Sequence, residues 1–189
     1  MKNLLNYKKL KMAILTIAIF SLLSSCAPGI DQVRNIPDIT EMPTLSAKNI
    51  TLFHSQYGKT RLRIQASTVN VFSMIETPKT EFLEGIYVEF LSDSLTATSF
   101  FKADKAIYFE KENRWEATGN IEAMNIEGTR FNTEFIEWDE RTGLIQSNQY
   151  IKVTDKETII VGNGFKAKQD FTDWKILNPT GIFTIDQKD

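Results

Sequence analysis

"RLRIQA", residues 61–66, sets Leu62, Ile64 and Ala66 on one side of an extended chain and Arg61, Arg63 and Gln65 on the other. Successive side chains of a strand point to opposite faces, so this run reads as a strand with one buried and one wet face. The same pattern recurs in "NITLF" (49–53), "GIYVEF" (85–90), "RWEAT" (114–118), "NIEAM" (120–124), "TRFNTEF" (129–135), "YIKVT" (150–154), "TIIVG" (158–162) and "GIFTI" (181–185). Turn residues fall between the runs: Ser92-Asp93, Lys111-Glu112-Asn113, Glu127-Gly128, Arg141-Thr142-Gly143 and Gly162-Asn163-Gly164. The last is read as a hairpin turn, since Asn and Gly tolerate the left-handed backbone. No segment sustains a helical period. Short strands at intervals of roughly ten residues predict an all-β chain, an antiparallel sandwich, barrel or jelly roll, without helical crossovers.

An internal repeat supports this. Setting "AIYFEKENRWEATGN" (106–120) over "FIEWDERTGLIQSNQ" (135–149), at an offset of 29, pairs Ile107 with Ile136, Phe109 with Trp138, Trp115 with Leu144 and Thr118 with Ser147. A looser echo relates "ASTVNV" (66–71) to "ADKAIY" (103–108). Stacked units of this kind bury their apolar faces only against one another.

The N-terminus is different. Lys2, Lys8, Lys9 and Lys11 precede an apolar stretch from Met12 to Leu23, too short for a comfortable membrane span, and the pattern reads as a signal peptide. Its end, "LSSC", resembles the lipoprotein cleavage box, which makes Cys26 the lipidated residue and residues 1–25 the lipoprotein signal. As the sole cysteine, Cys26 has no disulfide partner in its own chain. Several acyl chains, at roughly 0.8 kcal/mol per buried methylene, would hold the protein to a membrane permanently. Residues 26–44 contain Pro28, Pro37 and Pro43 and no strand-length apolar run, so they read as an extended tether, and residues 45–189 as the folded domain. Without residues 1–25 the chain carries 18 basic against 24 acidic residues, a balance that argues against nucleic acid as a partner.

Catalysis finds little support. His54 is the single histidine and no GxSxG turn accompanies it, so a nucleophilic triad is not indicated; it reads as a surface or strand-edge imidazole. The carboxylates lie at turns and outward strand positions, and neither GxxxxGK nor GxGxxG occurs. The expectation is a non-enzyme with no catalytic residue, metal or cofactor.

The stretch 103–167 resembles the OstA/Lpt β-jellyroll family. The family pattern is a small-residue A..A, an aromatic, a turn, an aromatic followed by A.GN, then T leading to an aromatic–acid pair, and a late G.G. Ala103, Ala106, Phe109, Trp115, Ala117, Gly119, Asn120, Thr133, Trp138, Asp139, Ser147, Gly162 and Gly164 stand at those positions. A single domain behind an N-terminal membrane anchor is similar to the LptC group within the family. The resemblance implies a jelly roll with an open apolar groove. It also implies a protein at the periplasmic side of the inner membrane; the N-terminal lipid as anchor is read from "LSSC" and departs from the family, whose best-known members are anchored by a transmembrane helix. Such a protein receives lipopolysaccharide acyl chains from the jelly-roll domains of an ABC transporter's permeases and passes them to an LptA-like periplasmic bridge protein. The alternative is a structural outer-membrane interaction lipoprotein with a closed sandwich core and no lipid cargo.

If the two sheets part at one edge, inward positions become a groove for acyl chains. The candidates are Leu62, Ile64, Ile86, Val88, Phe90, Ile107, Phe109, Trp115, Ile121, Phe131, Trp138, Ile151, Val153 and Ile159. The resemblance assigns the first and last strands to partner contacts: Asn49, Thr51 and Phe53 toward the transporter, Phe183, Thr184 and Ile185 toward the bridge protein. Unpaired backbone groups on such edges accept a further strand.

Overall fold

A computed structural model describes residues 42–184. Cys26, the signal and most of the tether lie outside the described residues, as does Ile185. Among those described there is no helix. Ten antiparallel strands follow one another as β1 (Leu45–Gln56), β2 (Lys59–Phe72), β3 (Lys79–Leu91), β4 (Ala97–Ala103), β5 (Lys105–Phe109), β6 (Arg114–Met124), β7 (Arg130–Asp139), β8 (Leu144–Asp155), β9 (Thr158–Lys168) and β10 (Trp174–Thr184). They make a single sheet in which each strand pairs with its sequence neighbours, β4 and β5 sharing one line between β3 and β6. The chain is all-β, a meander folded on itself as a β-jellyroll.

The fold-over is written into the strands as a row of bulges. Inward side chains should recur every second residue, yet near the middle of the strands the interval lengthens. It reaches three from Ala66 to Val69, Ala103 to Ala106 and Thr133 to Ile136, and four from Ala117 to Ile121 and Ser147 to Ile151. Pairing registers shift at the same places, between Ala66 and Thr68, Thr118 and Ile121, Thr133 and Glu137, and Ser147 and Tyr150. Asn49, Glu84, Gly85, Gly119, Asn120 and Gly164 take left-handed backbone there. Each extra residue bends its strand and raises the local twist, so the long strands bend, and the line of β4 and β5 breaks at Asp104, where one leaf of a sandwich gives way to the other. Contacts between distant strands close the core: Phe90 meets Trp138 edge-on at 5.2 Å, and Phe131 meets Phe171 at 5.2 Å and Trp174 at 5.7 Å. The Asn125 side chain, from the β6–β7 turn, donates to the Phe171 carbonyl of the β9–β10 turn at 3.0 Å.

Two readings of the sequence are corrected. Gly162-Asn163-Gly164 is not a hairpin turn but part of β9, paired with Pro179 and Asn178 of β10. A Cβ at Gly162 would lie 2.4 Å from the Asn178 carbonyl oxygen, so glycine is there to admit the neighbouring backbone. The repeat offset is 30, not 29: inward Ala103, Ala106, Tyr108, Trp115, Ala117, Ile121 and Ala123 correspond to inward Thr133, Ile136, Trp138, Ile145, Ser147, Ile151 and Val153. An offset of 29 sets inward residues over outward ones.

Candidate functional site

The inner face of the folded sheet gathers most of the residues that the sequence singles out. Leu62, Ile64, Ile86, Val88, Phe90, Trp115, Ile121, Phe131, Trp138, Ile151 and Val153 are buried members of one apolar cluster. Ile107, Phe109 and Ile159 are not among them. Asp104 is the extra residue that moves the alternation by one, so Ala106 and Tyr108 point inward while Ile107 and Phe109 lie on the outer face. There the Arg114 guanidinium sits 4.4 Å from the centre of the Phe109 ring. In "TIIVG" the inward residue is Ile160, packed on the core opposite Val153, and Ile159 faces outward between Thr154 and Phe183. Sequence reasoning missed Phe82, Phe101, Ile136, Ile145 and Phe165, all buried. The lengthened inward interval at the bulges is the signal that finds Ile136.

At the sheet edges the apolar inner face meets solvent. β1 pairs only with β2 and β10 only with β9 among the described residues. Leu52 stands opposite inward Ile64 and is 39% exposed; Ile182 stands opposite inward Ile160 and is 69% exposed. Thr51 and Phe53, and Phe183 on β10, are exposed on the other face, and Thr184 closes the described ladder opposite Thr158. Asn49 takes a left-handed conformation within the edge strand without shifting the β1–β2 register, which shifts only between His54 and Ser55.

Between the leaves, on the β1 side, lies a cavity of about 390 Å³, within the range of ligand pockets, about 300–1,000 Å³. Leu62, Phe90, Leu91 and Trp138 give it an apolar lining, and His54, Arg61, Glu140 and Asp170 add polar and charged groups. Glu140 is held in place: the Trp115 indole N–H donates to it at 2.8 Å and the Tyr108 hydroxyl at 3.4 Å. Burial first, and then the neighbouring Glu140 charge, push the Tyr108 phenol up to about 12. His54, on the inner side of edge strand β1, brings its Nε2 to 3.8 Å from Glu140 Oε1, joining the edge strand to the end of β7. The imidazole is a strand-edge residue, and its neighbours include no serine or cysteine nucleophile among the residues lining the cavity.

A second, larger hollow of about 680 Å³ lies on the outer side of the bulge row, lined by Asn49, Gln65, Ser67, Tyr87, Asp104 and Asn120, among others. Asp104 accepts from the Asn120 amide at 2.7 Å, and a Cβ on Gly119 would fall 2.6 Å from the same carboxylate oxygen. This explains why Gly119-Asn120 stands at the bend. No group of three or more His, Cys, Asp or Glu among the described residues is arranged to hold a metal ion.

What the arrangement offers is an apolar interior between two leaves, wet at both edges, rather than a reacting constellation. No helix among the described residues is long and apolar enough to cross a membrane. A search of the curated proteins finds no match to this chain. The sequence model of the family described as "Lipopolysaccharide-assembly, LptC-related" matches residues 11–179. That family is a component of lipopolysaccharide transport rather than an enzyme family, works with lipopolysaccharide and other Lpt proteins, and is associated with the periplasmic side of the inner membrane. With its antiparallel jelly roll and a match over most of its length, the chain belongs to the LptC-related family of lipopolysaccharide-assembly proteins.

Proposed function

We propose that this chain carries lipopolysaccharide by its acyl chains between the two leaves, receiving them from the jelly-roll domains of an inner-membrane ABC transporter and releasing them to a periplasmic bridge protein. The observation that carries this reading is the inner face itself: apolar from β1 to β10, and exposed at both ends of the strand order through Leu52 and Ile182. Acyl chains gain about 25 cal/mol per Å² of surface taken from water, so a continuous apolar track lets them slide without a chemical step. ATP hydrolysed in the transporter supplies the drive. The β1 edge, around Asn49, Thr51 and Phe53, meets the transporter; the β10 edge, around Phe183, Thr184 and Ile185, meets the bridge protein, each by adding a strand. Cys26 carries the lipid that holds the domain at the membrane.

Photo-crosslinking groups at positions 52 and 182 test the track, with outward Lys152 as control. The expected result is lipopolysaccharide adducts at 52 and 182 and none at 152. Adducts at 152 alone, or at no position in cells exporting lipopolysaccharide, overturn the reading. A pull-down from detergent-solubilised envelope tests the partners: an ABC transporter should come with the full chain.

A further inference from the structure

Two buried side-chain polar atoms have no hydrogen-bond partner among the described residues: the indole nitrogen of Trp138 and the hydroxyl oxygen of Ser99. Their residues are 3% and 4% exposed. Both adjoin Phe90. Ser99 is its partner in the β3–β4 ladder, on the same inner face, and Trp138 meets its ring from the opposite leaf at 5.2 Å. Phe90 and Trp138 in turn line the cavity between the leaves, as does Thr98, the residue before Ser99.

A buried donor without an acceptor loses its bonds to water and gains nothing in return, and native cores hold few of them. The contrast with Trp115 sharpens the point. Its ring stacks on Trp138 with centroids 5.9 Å apart, and its N–H is bonded to Glu140 at 2.8 Å. Of two stacked indoles, one has a carboxylate and the other has no acceptor, and the unserved one lines the cavity between the leaves. Two orphans on either side of one phenylalanine, where the described residues otherwise pair their buried side-chain polar atoms, mark a place completed by something from outside.

We infer that Trp138 and Ser99 bind the carbonyl oxygen of an acyl chain's ester or amide link. This rests on the lipid-carrying function proposed above and adds to it a contact that fixes how deep the chain sits. A carbonyl oxygen has two lone pairs, so it accepts from the indole N–H and the serine hydroxyl together. A plain hydrocarbon gains nothing from either. The Phe90 ring, which neighbours both groups, turns aside to admit the carbonyl. The contact sets register: the chain beyond the carbonyl runs along the apolar face, and the head group stays on the side of His54, Arg61 and Asp170.

The test uses the full chain with ¹⁵N-labelled tryptophan, solubilised in dodecyl maltoside, a detergent without ester or amide. Its three indole resonances are Trp115, Trp138 and Trp174. Lipopolysaccharide should move the Trp138 resonance downfield, and so should sucrose monolaurate, which offers the same chain length through an ester. Trp138→Phe keeps an aromatic ring and removes the donor; it should weaken lipopolysaccharide binding by about tenfold, and Ser99→Ala by a few-fold. Binding of N-phenyl-1-naphthylamine, an apolar dye without a carbonyl, should fall less than that of lipopolysaccharide in both. A Trp138 resonance that stays put while the wild-type chain binds lipopolysaccharide, or equal affinity in wild type and Trp138→Phe, overturns the carbonyl contact and leaves the lipid-carrying function standing. No lipopolysaccharide binding by the wild type overturns both.

Discussion

Gly162→Ala replaces one hydrogen by a methyl group in the middle of β9, and the structure says what the methyl meets. Its carbon would lie 2.4 Å from the Asn178 carbonyl oxygen, 2.6 Å from Ile176 Cγ2 and 2.9 Å from Pro179 Cα. Two of these three atoms belong to the backbone of β10, so turning a side chain cannot relieve the crowding. β10 must withdraw by roughly an ångström to restore ordinary contact. Withdrawal strains the ladder around Asn178–Asn163 and loosens Ile176 and Trp174, which pack on the core, Trp174 edge-on to Phe131 at 5.7 Å. Overpacking of this kind costs about 1–3 kcal/mol, out of a total of about 5–15 kcal/mol for a domain. For a domain of this size that is about 2–12 °C in the melting midpoint. Urea unfolding measures the loss, and amide exchange locates it: protection should fall along 174–184 and hold along 130–139. A loosened β10 also predicts weaker binding to the bridge partner, because the edge it presents is no longer fixed. An unchanged urea midpoint with unchanged exchange along β10 would refute the argument that Gly162 is required by backbone proximity.

Tyr108→Phe isolates an alkaline effect. The phenol is raised to about 12 in the folded chain against about 10 when unfolded. The unfolded state therefore loses its proton first, and stability present below pH 10 drains away as pH rises toward 12. Urea midpoints should fall less steeply over that window in Tyr108→Phe than in wild type; parallel curves refute the assignment. Ile86→Asp and Val88→Asp should fail to fold instead of merely losing lipid, since both positions are buried and an unpaired carboxylate there costs several kcal/mol; a native circular dichroism spectrum for either would show the interior to be open at that depth. Thr184→Pro, at the end of β10, should weaken docking to the bridge protein while leaving circular dichroism and lipid loading nearly normal, because proline removes a ladder donor; unchanged pull-down by Phe183→Pro and Thr184→Pro alike argues against docking through this end. Cys26→Ala should leave the domain folded but release it from membranes or leave it unprocessed, read by membrane fractionation; a variant that is cleaved yet stays in the pellet refutes the lipid anchor.

The alternation in "RLRIQA" and its fellows determined the fold class, because a period of two can bury one face only in a sheet, and the spacing of turns left no room for crossovers. The family pattern in 103–167 was equally legible: Gly119-Asn120 and Gly162 are demanded by close approaches of Asp104 and of the β10 backbone. Such demands fall on residue identity and so show in the sequence. What the sequence left undecided is which face each residue takes beyond a bulge. One extra residue, Asp104, exchanges Ile107 for Tyr108, and the run "TIIVG" offers Ile159 and Ile160 without a preference, since both are apolar and β-branched. Only pairing with Glu116 and Trp115 in β6, and with Thr154 and Val153 in β8, settles them. The meeting of Phe90 with Trp138 across the leaves, and of His54 with Glu140, likewise belongs to the tertiary structure. These pairs are 48 and 86 residues apart in the chain, and no local pattern encodes a contact made by folding the sheet over on itself.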